Sequence, residues 1–412
     1  MQTRARRILL GFAAIFAVGA LAIFLGLFEH SVVSPATDQP MTSAEMAALV
    51  PRGRYLTAAA DCAACHNASG GAPWAGGQAF ALPFGTLYAT NISPDPETGI
   101  GGWSRADFQH AMRDGIGKNG RHLFPAMPYV SYRQMSEGDV DAIYAFLMTR
   151  QPIHTATPAD SFPLPYIRQT MTFWNLVNLP DRGFIADASK SPEWNHGRYL
   201  VDALGHCGEC HTPRDITMGM IASRYLRGAV IEDVDAPDIT LAGLARLGFD
   251  RDSLVQFMRA GLGPQGVMTF SMHDVVQHST RYLTQADAEA MAAYLIGNPP
   301  AQTVQPAALT SQADGDMTAG RTTYVAVCAG CHGVDGEGIP HMAPAMRTNA
   351  TLRLPTAHNL LLVLTQGLPE HAFPDGEYFQ AMPGFSNLLS AQQIADLVTY
   401  LRKSWGGQPR LK

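Results

Sequence analysis

Charge is scarce in this chain. Only 16% of its 412 residues are charged, and the net charge is −6. No basic excess exists, and a nucleic-acid partner would require a basic patch or stripe. Aromatic residues make up 9% and cysteines number six. No Rossmann unit, P-loop or catalytic triad is recognised, so nothing marks the chain as the site of an organic reaction. What is plentiful is apolar side chain, at 46%, with 39 Gly and 28 Pro. Compact cores are therefore expected, with many turns between them, and disorder is not indicated.

The few cysteines are all spent in one way. Cys62-Ala63-Ala64-Cys65-His66 recurs as Cys207-Gly208-Glu209-Cys210-His211 and as Cys328-Ala329-Gly330-Cys331-His332. C-x-x-C-H is the attachment signature of a c-type haem. Two thiols form thioethers to the porphyrin vinyl groups, and the adjacent histidine reaches the iron. The spacing lets both sulfurs span one haem edge while the next side chain turns under the metal. Structural zinc needs four N/S ligands, usually as two pairs. Three pairs leave a half-site over, and disulfides would not require a histidine after each pair. The expectation is three covalent haems c, held by Cys62, Cys65, Cys207, Cys210, Cys328 and Cys331, with His66, His211 and His332 as axial ligands.

The length suggests two or three domains, and the motifs set the count at three. Arg4, Arg6 and Arg7 precede an unbroken apolar run over residues 8–28. Twenty-one residues suffice to cross about 30 Å of hydrocarbon as a helix. A cleaved signal peptide is the competing reading, but Ser34-Pro35-Ala36 is a poor cleavage site. The arginines leave the N-terminal side in the cytoplasm and everything after Phe28 in the periplasm. The location expected is thus the inner membrane, with the haem domains periplasmic.

Three similar repeats follow. The first two open on Gly53-Arg54-Tyr55-Leu56 and Gly197-Arg198-Tyr199-Leu200, the third on Gly320-Arg321-Thr322-Thr323-Tyr324. Each reads as a helix leading into the haem turn. Mid-repeat helices are expected over 104–114, 251–260 and 356–365, each followed by a capping glycine, Gly115, Gly261 or Gly367. Closing helices start at Ser136 with Asp139, Thr284 with Asp287, and Ser390 with Gln393, all fitting a capping box. Phe146, Tyr294 and Tyr400 sit ten residues after those caps, and should pack the closing helix on the opening one. The divisions are an anchor at 1–29, domains at 45–150, 193–298 and 317–407, and linkers at 151–192 and 299–316. The first linker holds Phe162, Tyr166, Phe173 and Trp174, and reads either as a cover over the seam between repeats or as contact with a partner or the membrane.

A second axial ligand completes a six-coordinate haem, and methionine with histidine raises its potential. Met127 lies in Phe124-Pro125-Ala126-Met127-Pro128, and Met382 in Ala381-Met382-Pro383-Gly384-Phe385. Repeat two offers Met268 and Met272. His66 to Met127 is 61 residues, as is His211 to Met272, which favours Met272. His332 to Met382 is 50. His122, His273 and His341 are the rivals that would give bis-histidine haems.

From Arg52 to Arg402 the chain resembles the tri-haem cytochrome c subunits of membrane-bound periplasmic dehydrogenases of acetic acid bacteria. Beyond the three haem motifs, the resemblance rests on Asn91-Ile92-Ser93-Pro94-Asp95 through Gly99-Ile100-Gly101-Gly102-Trp103-Ser104. Val275-Val276-Gln277-His278-Ser279-Thr280 and Ile394-Ala395-Asp396-Leu397-Val398 also carry it. It implies a subunit that does not itself oxidise an organic substrate. Such a subunit takes electrons from a catalytic dehydrogenase subunit of molybdenum, pyrroloquinoline quinone or flavin type and reduces ubiquinone. The N-terminal anchor leans toward the aldehyde-oxidising complexes, with alcohol and sugar dehydrogenases as alternatives. The fold class expected is mostly α, with one N-terminal transmembrane helix and three cytochrome c domains. Two other classes stay open: a cytochrome feeding a terminal oxidase, and a haem peroxidase.

Overall fold

The structure is a computed structural model that describes residues 11, 14, 17–19, 21, 39–82, 84–162, 167–297 and 317–408. The chain divides into two compact bodies, Met1–Ile185 and Ala186–Lys412. The first contains repeat one and the second contains repeats two and three.

Local capping chemistry sets the helices. In repeat one the opening helix Ser43–Ala59 starts from Thr42, whose hydroxyl accepts from Glu45 N–H at 3.2 Å while the Glu45 carboxylate accepts from Thr42 N–H at 2.7 Å. The mid-repeat helix Arg105–Asp114 has the same reciprocal box at Ser104 and Asp107, and ends on Gly115 at φ 67°. Helix Arg251–Ala260 ends on Gly261 at φ 76° and helix His358–Gln366 on Gly367 at φ 80°. These conformations cost glycine least. Residues 261–266 spell G-x-G-x-x-G. This is a helix end followed by the hairpin Leu262–Gly263 with Gly266–Val267, not a strand–turn–helix phosphate loop.

Closing helices are Glu137–Met148, Gln285–Ile296 and Ala391–Gly406. Their N-caps are the expected Ser136, Thr284 and Ser390, each accepting from the backbone N–H three residues on. In the first two repeats the N3 aspartate also reaches sideways. Asp139 pairs with Arg52, and Asp287 Oδ1 lies 2.6 Å from His196 Nε2, both partners belonging to the opening helix of the same repeat. The strands form six two-stranded pairs among the described residues, so the class is mostly α.

Opening and closing helices cross at a glycine in all three repeats. A Cβ at Gly53 would lie 1.8 Å from Ala142 O, one at Gly197 1.8 Å from Ala290 O, and one at Gly320 2.2 Å from Asp396 O. The glycine of the repeated opening motif is therefore a close-approach residue, selected by the helix opposite. Phe146 and Tyr400 lie against Gly53 and Gly320, and Tyr294 packs edge-on against Trp194 at 5.0 Å between ring centroids. The step from this glycine to the first cysteine is nine residues in repeat one (53 to 62), ten in repeat two (197 to 207) and eight in repeat three (320 to 328). Repeat two accommodates its long step with a π-helical turn over Leu200–Leu204, a widening that admits an extra residue.

The first linker folds back on repeat one as far as Ile185. Asn91 and Ser93, buried at 2% and 0% exposure, bind Ile153: Asn91 Nδ2 donates to its carbonyl at 2.7 Å, and its N–H donates to Ser93 Oγ at 3.0 Å. Phe162 meets Phe124 with centroids 4.7 Å apart. Linker helix Met171–Asn178 turns polar groups inward, where Asn175 accepts from Tyr129 OH at 2.9 Å and Thr172 Oγ1 lies 3.1 Å from His122 Nε2.

One expectation is corrected. No helix among the described residues is long and apolar enough to cross a membrane. The longest, Ser43–Ala59, has 17 residues and carries Glu45, Arg52 and Arg54. It spans roughly 25 Å, short of the hydrocarbon thickness, and its polar groups cap and pair within repeat one. The N-terminal transmembrane helix is therefore withdrawn from the fold class. Most of residues 1–29, and the linker at 299–316, lie outside the described residues.

Gly53→Ala is expected to lower the stability of repeat one by about 1–3 kcal/mol through overpacking of the crossing. A reduced thermal unfolding midpoint measures this, with Gly138→Ala, where a Cβ meets nothing within 4 Å, as the helix-matched control.

Candidate haem sites

One helical turn carries each motif. It runs through Cys62–His66 in repeat one, Gly208–His211 in repeat two and Ala329–His332 in repeat three. His211 N–H donates to Cys207 O and His332 N–H to Cys328 O, both at 3.0 Å. Positions i, i+3 and i+4 share a helix face, so both thiols and the imidazole point the same way. None of the six cysteines, all among the described residues, is joined to another in a disulfide. Burial pushes Cys62 and Cys207 up to about 12 and Cys328 up to about 11. They remain protonated, unlike nucleophilic or metal-binding thiolates. No cluster of three or more His, Cys, Asp or Glu side chains that could hold a metal ion occurs among the described residues.

The three histidines are held alike. His66 Nδ1 lies 2.7 Å from Thr90 O, His211 Nδ1 2.7 Å from Pro237 O, and His332 Nδ1 2.9 Å from Pro344 O. A carbonyl only accepts, so Nδ1 donates and Nε2 keeps its lone pair. That is how a metal-binding imidazole is oriented and made more basic. Burial lowers the pKa of all three, which keeps them neutral and able to ligate.

In repeat three a partly open, mostly apolar cavity lies beside the motif. Cys328, His332 and Met382 all line it. A thiol, a neutral imidazole and a thioether around one apolar slot are the donor set a covalent haem requires, so the residues fit the group. Val267, Thr269 and His371 line the same slot. Sequence reasoning missed these three, because they come from another repeat or a distant hairpin and bear no local motif.

Hairpin register places the methionines of the first two repeats. Leu123 N–H donates to Gly115 O at 2.7 Å, and Met268 N–H donates to Gly261 O at 2.8 Å. Met268 is thus the counterpart of Leu123, and is 6% exposed. Four residues further on lie Met127, in a bend, and Met272, in the first turn of the helix Ser271–His278. Met382 instead sits in a strand paired with Leu368. The rival histidines are engaged elsewhere: His122 with Thr172, His341 with Glu377 at 2.8 Å, and His273 against the His371 ring.

The π turn of repeat two brings Asp202 inward. It accepts from Tyr225 OH at 2.9 Å and Tyr294 OH at 3.2 Å, and burial pushes its carboxyl up to about 6. The fold therefore favours the protonated acid. This contribution to stability is fully present below the ordinary carboxylate range and is lost as pH rises through about 6.

The cytochrome c family matches residues 50–151 and 317–405. A nicotinate dehydrogenase component from Pseudomonas putida is 39% identical over 399 residues, covering 95% of this chain. The chain spans only 33% of that relative's length. The gluconate 2-dehydrogenase cytochrome c subunit of Pantoea cypripedii is 40% identical over 94% of this chain and 90% of its own. The cytochrome c subunit of the quinone alcohol dehydrogenase of Gluconacetobacter polyoxogenes is 37% identical over 88% and 81%.

Two measurements follow from these sites. Asp202→Asn is expected to flatten the fall in thermal midpoint between pH 4 and pH 7. Met272→Ala is expected to turn one haem high-spin and lower one midpoint potential, whereas Met268→Ala leaves every haem low-spin. Spectroelectrochemistry separates the two methionines, and the reverse pattern would move the ligand to Met268.

Proposed function

We propose a role from one premise: this chain belongs to the family of cytochrome c subunits of dehydrogenase complexes, and is a non-catalytic electron-transfer subunit. It binds three covalent haems c, one at each motif, and relays electrons from a catalytic dehydrogenase subunit to ubiquinone at the periplasmic side of the inner membrane. Each haem, when bound, supplies a reversible one-electron iron couple. The cysteines Cys62, Cys65, Cys207, Cys210, Cys328 and Cys331 fix the three groups. His66, His211 and His332 would ligate through Nε2, since a backbone carbonyl holds Nδ1–H, and Met127, Met272 and Met382 would supply the second ligands. The mostly apolar lining of the repeat-three slot would lower the dielectric around the group.

The recurrence of one donor geometry, imidazole Nδ1 on a carbonyl at 2.7, 2.7 and 2.9 Å, carries this reading. The aldehyde preference rested on the N-terminal run, which no longer supports it. Aldehyde, alcohol and sugar substrates stand level, and the substrate is a property of the catalytic partner. The full chain, affinity-purified from its own host, should have the mass of the polypeptide plus three haems. It should bring down a large dehydrogenase subunit. The substrate of that dehydrogenase should reduce the chain, and a ubiquinone analogue should reoxidise it. Recovery of oxidase subunits in its place, or peroxide turnover, would overturn the proposal.

A further inference from the structure

Repeats two and three lie in the same compact body, and one seven-residue stretch of repeat two both lines the slot of repeat three and carries Met272, the ligand proposed for repeat two. Val267 and Thr269 line the slot of repeat three together with Cys328 and His332. Between them, Met268 is buried and belongs to repeat two. Phe270 follows at φ 53°, a left-handed conformation that is strained for a bulky residue. That turn starts the helix Ser271–His278, and so sets Met272 and His273. The His273 ring stands edge-to-face on the His371 ring, with centroids 4.1 Å apart and planes at 88°. His371 is 9% exposed and lines the repeat-three slot. Its Nδ1 lies 2.8 Å from Pro369 O, which fixes the ring, and Gln277 Nε2 donates to Ala372 O at 2.9 Å beside it. His273 Nδ1 is buried with no hydrogen-bond partner. Elsewhere along the join, backbone bonds such as Ala350 N–H to Gln265 O at 2.8 Å hold the two repeats in register.

We propose that residues 267–273 are a wall shared by the second and third haem sites, and that the His273–His371 ring pair is the contact through which an electron crosses it. This rests on the proposed haem binding at both motifs and on Met272 as the ligand of the second. One electron leaves a ferrous iron, which becomes ferric, and reduces the ferric iron of the other site; no bond forms or breaks and no proton moves. The two rings give the wall a direct π contact from the residue beside Met272 to a residue lining the other slot. Neither histidine is a ligand: both are positioning residues, and coupling through such a packed pair is measurable as non-additivity.

The test uses the full chain with all its haems. His273→Leu, His371→Leu, the double variant and His273→Phe are compared with the unaltered protein. Haem content and low-spin spectra are recorded first. Electron redistribution among the haems is then followed optically after pulsed photoreduction. Expected are three low-spin haems in every variant and one redistribution phase slowed severalfold by either leucine. The double variant should be no slower than the single ones, and His273→Phe should largely restore the phase. An unchanged phase, or additive slowing, in fully loaded variants would overturn the pair as the crossing contact and leave the proposed function standing. A high-spin haem in His273→Leu would make His273 a ligand and also overturn it. Fewer than three haems in the unaltered chain would count against the proposed function itself.

Discussion

The close crossing of opening and closing helices is the constraint on which each repeat depends. Without a side chain at Gly53, Gly197 or Gly320, the backbone of the opening helix meets the carbonyl of the closing one. That contact fixes where the opening helix ends, and therefore where the cysteine turn begins. Glycine in a helix interior is unfavourable on its own. It is tolerated because the approach it permits lets Phe146, Tyr294 and Tyr400 close over the crossing. In the first two repeats Arg52–Asp139 and His196–Asp287 add polar contacts across the same helix pair.

From that crossing outward the three repeats diverge, and the divergence follows the spacing between glycine and cysteine. Repeat two is longest there and widens into a π turn, which carries Asp202 against Tyr225 and Tyr294. A buried carboxyl that favours its protonated form is a direct consequence of the extra residue. The haem turn itself is insensitive to these differences. In each repeat the imidazole finds a backbone carbonyl for Nδ1, although Thr90, Pro237 and Pro344 lie 24, 26 and 12 residues downstream.

The connecting segments are structural parts of the bodies they join. The stretch from Asn91 to Asp95 is the lock that receives the linker at Ile153, and the hairpin at Gly85 receives Ser161. In the second body the hairpin of repeat two completes the slot of repeat three. A slot built from two repeats cannot form until both are folded and docked, which ties the geometry of one haem site to the integrity of its neighbour.

The sequence by itself determined what depends on near neighbours. The C-x-x-C-H turns, the helix caps at Ser136, Thr284 and Ser390, and the ends at Gly115, Gly261 and Gly367 rest on spacings of a few residues or on the repeat itself. Only the tertiary structure decided why Gly53 is a glycine, that Asp139 and Asp287 reach the opening helix, that the linker returns to repeat one, and that His371 faces both His273 and the third slot. Caps and turns are satisfied by the chain's own next turn. A close approach, a carbonyl for a histidine or a shared wall is satisfied by a partner tens of residues away, and no local spacing names that partner.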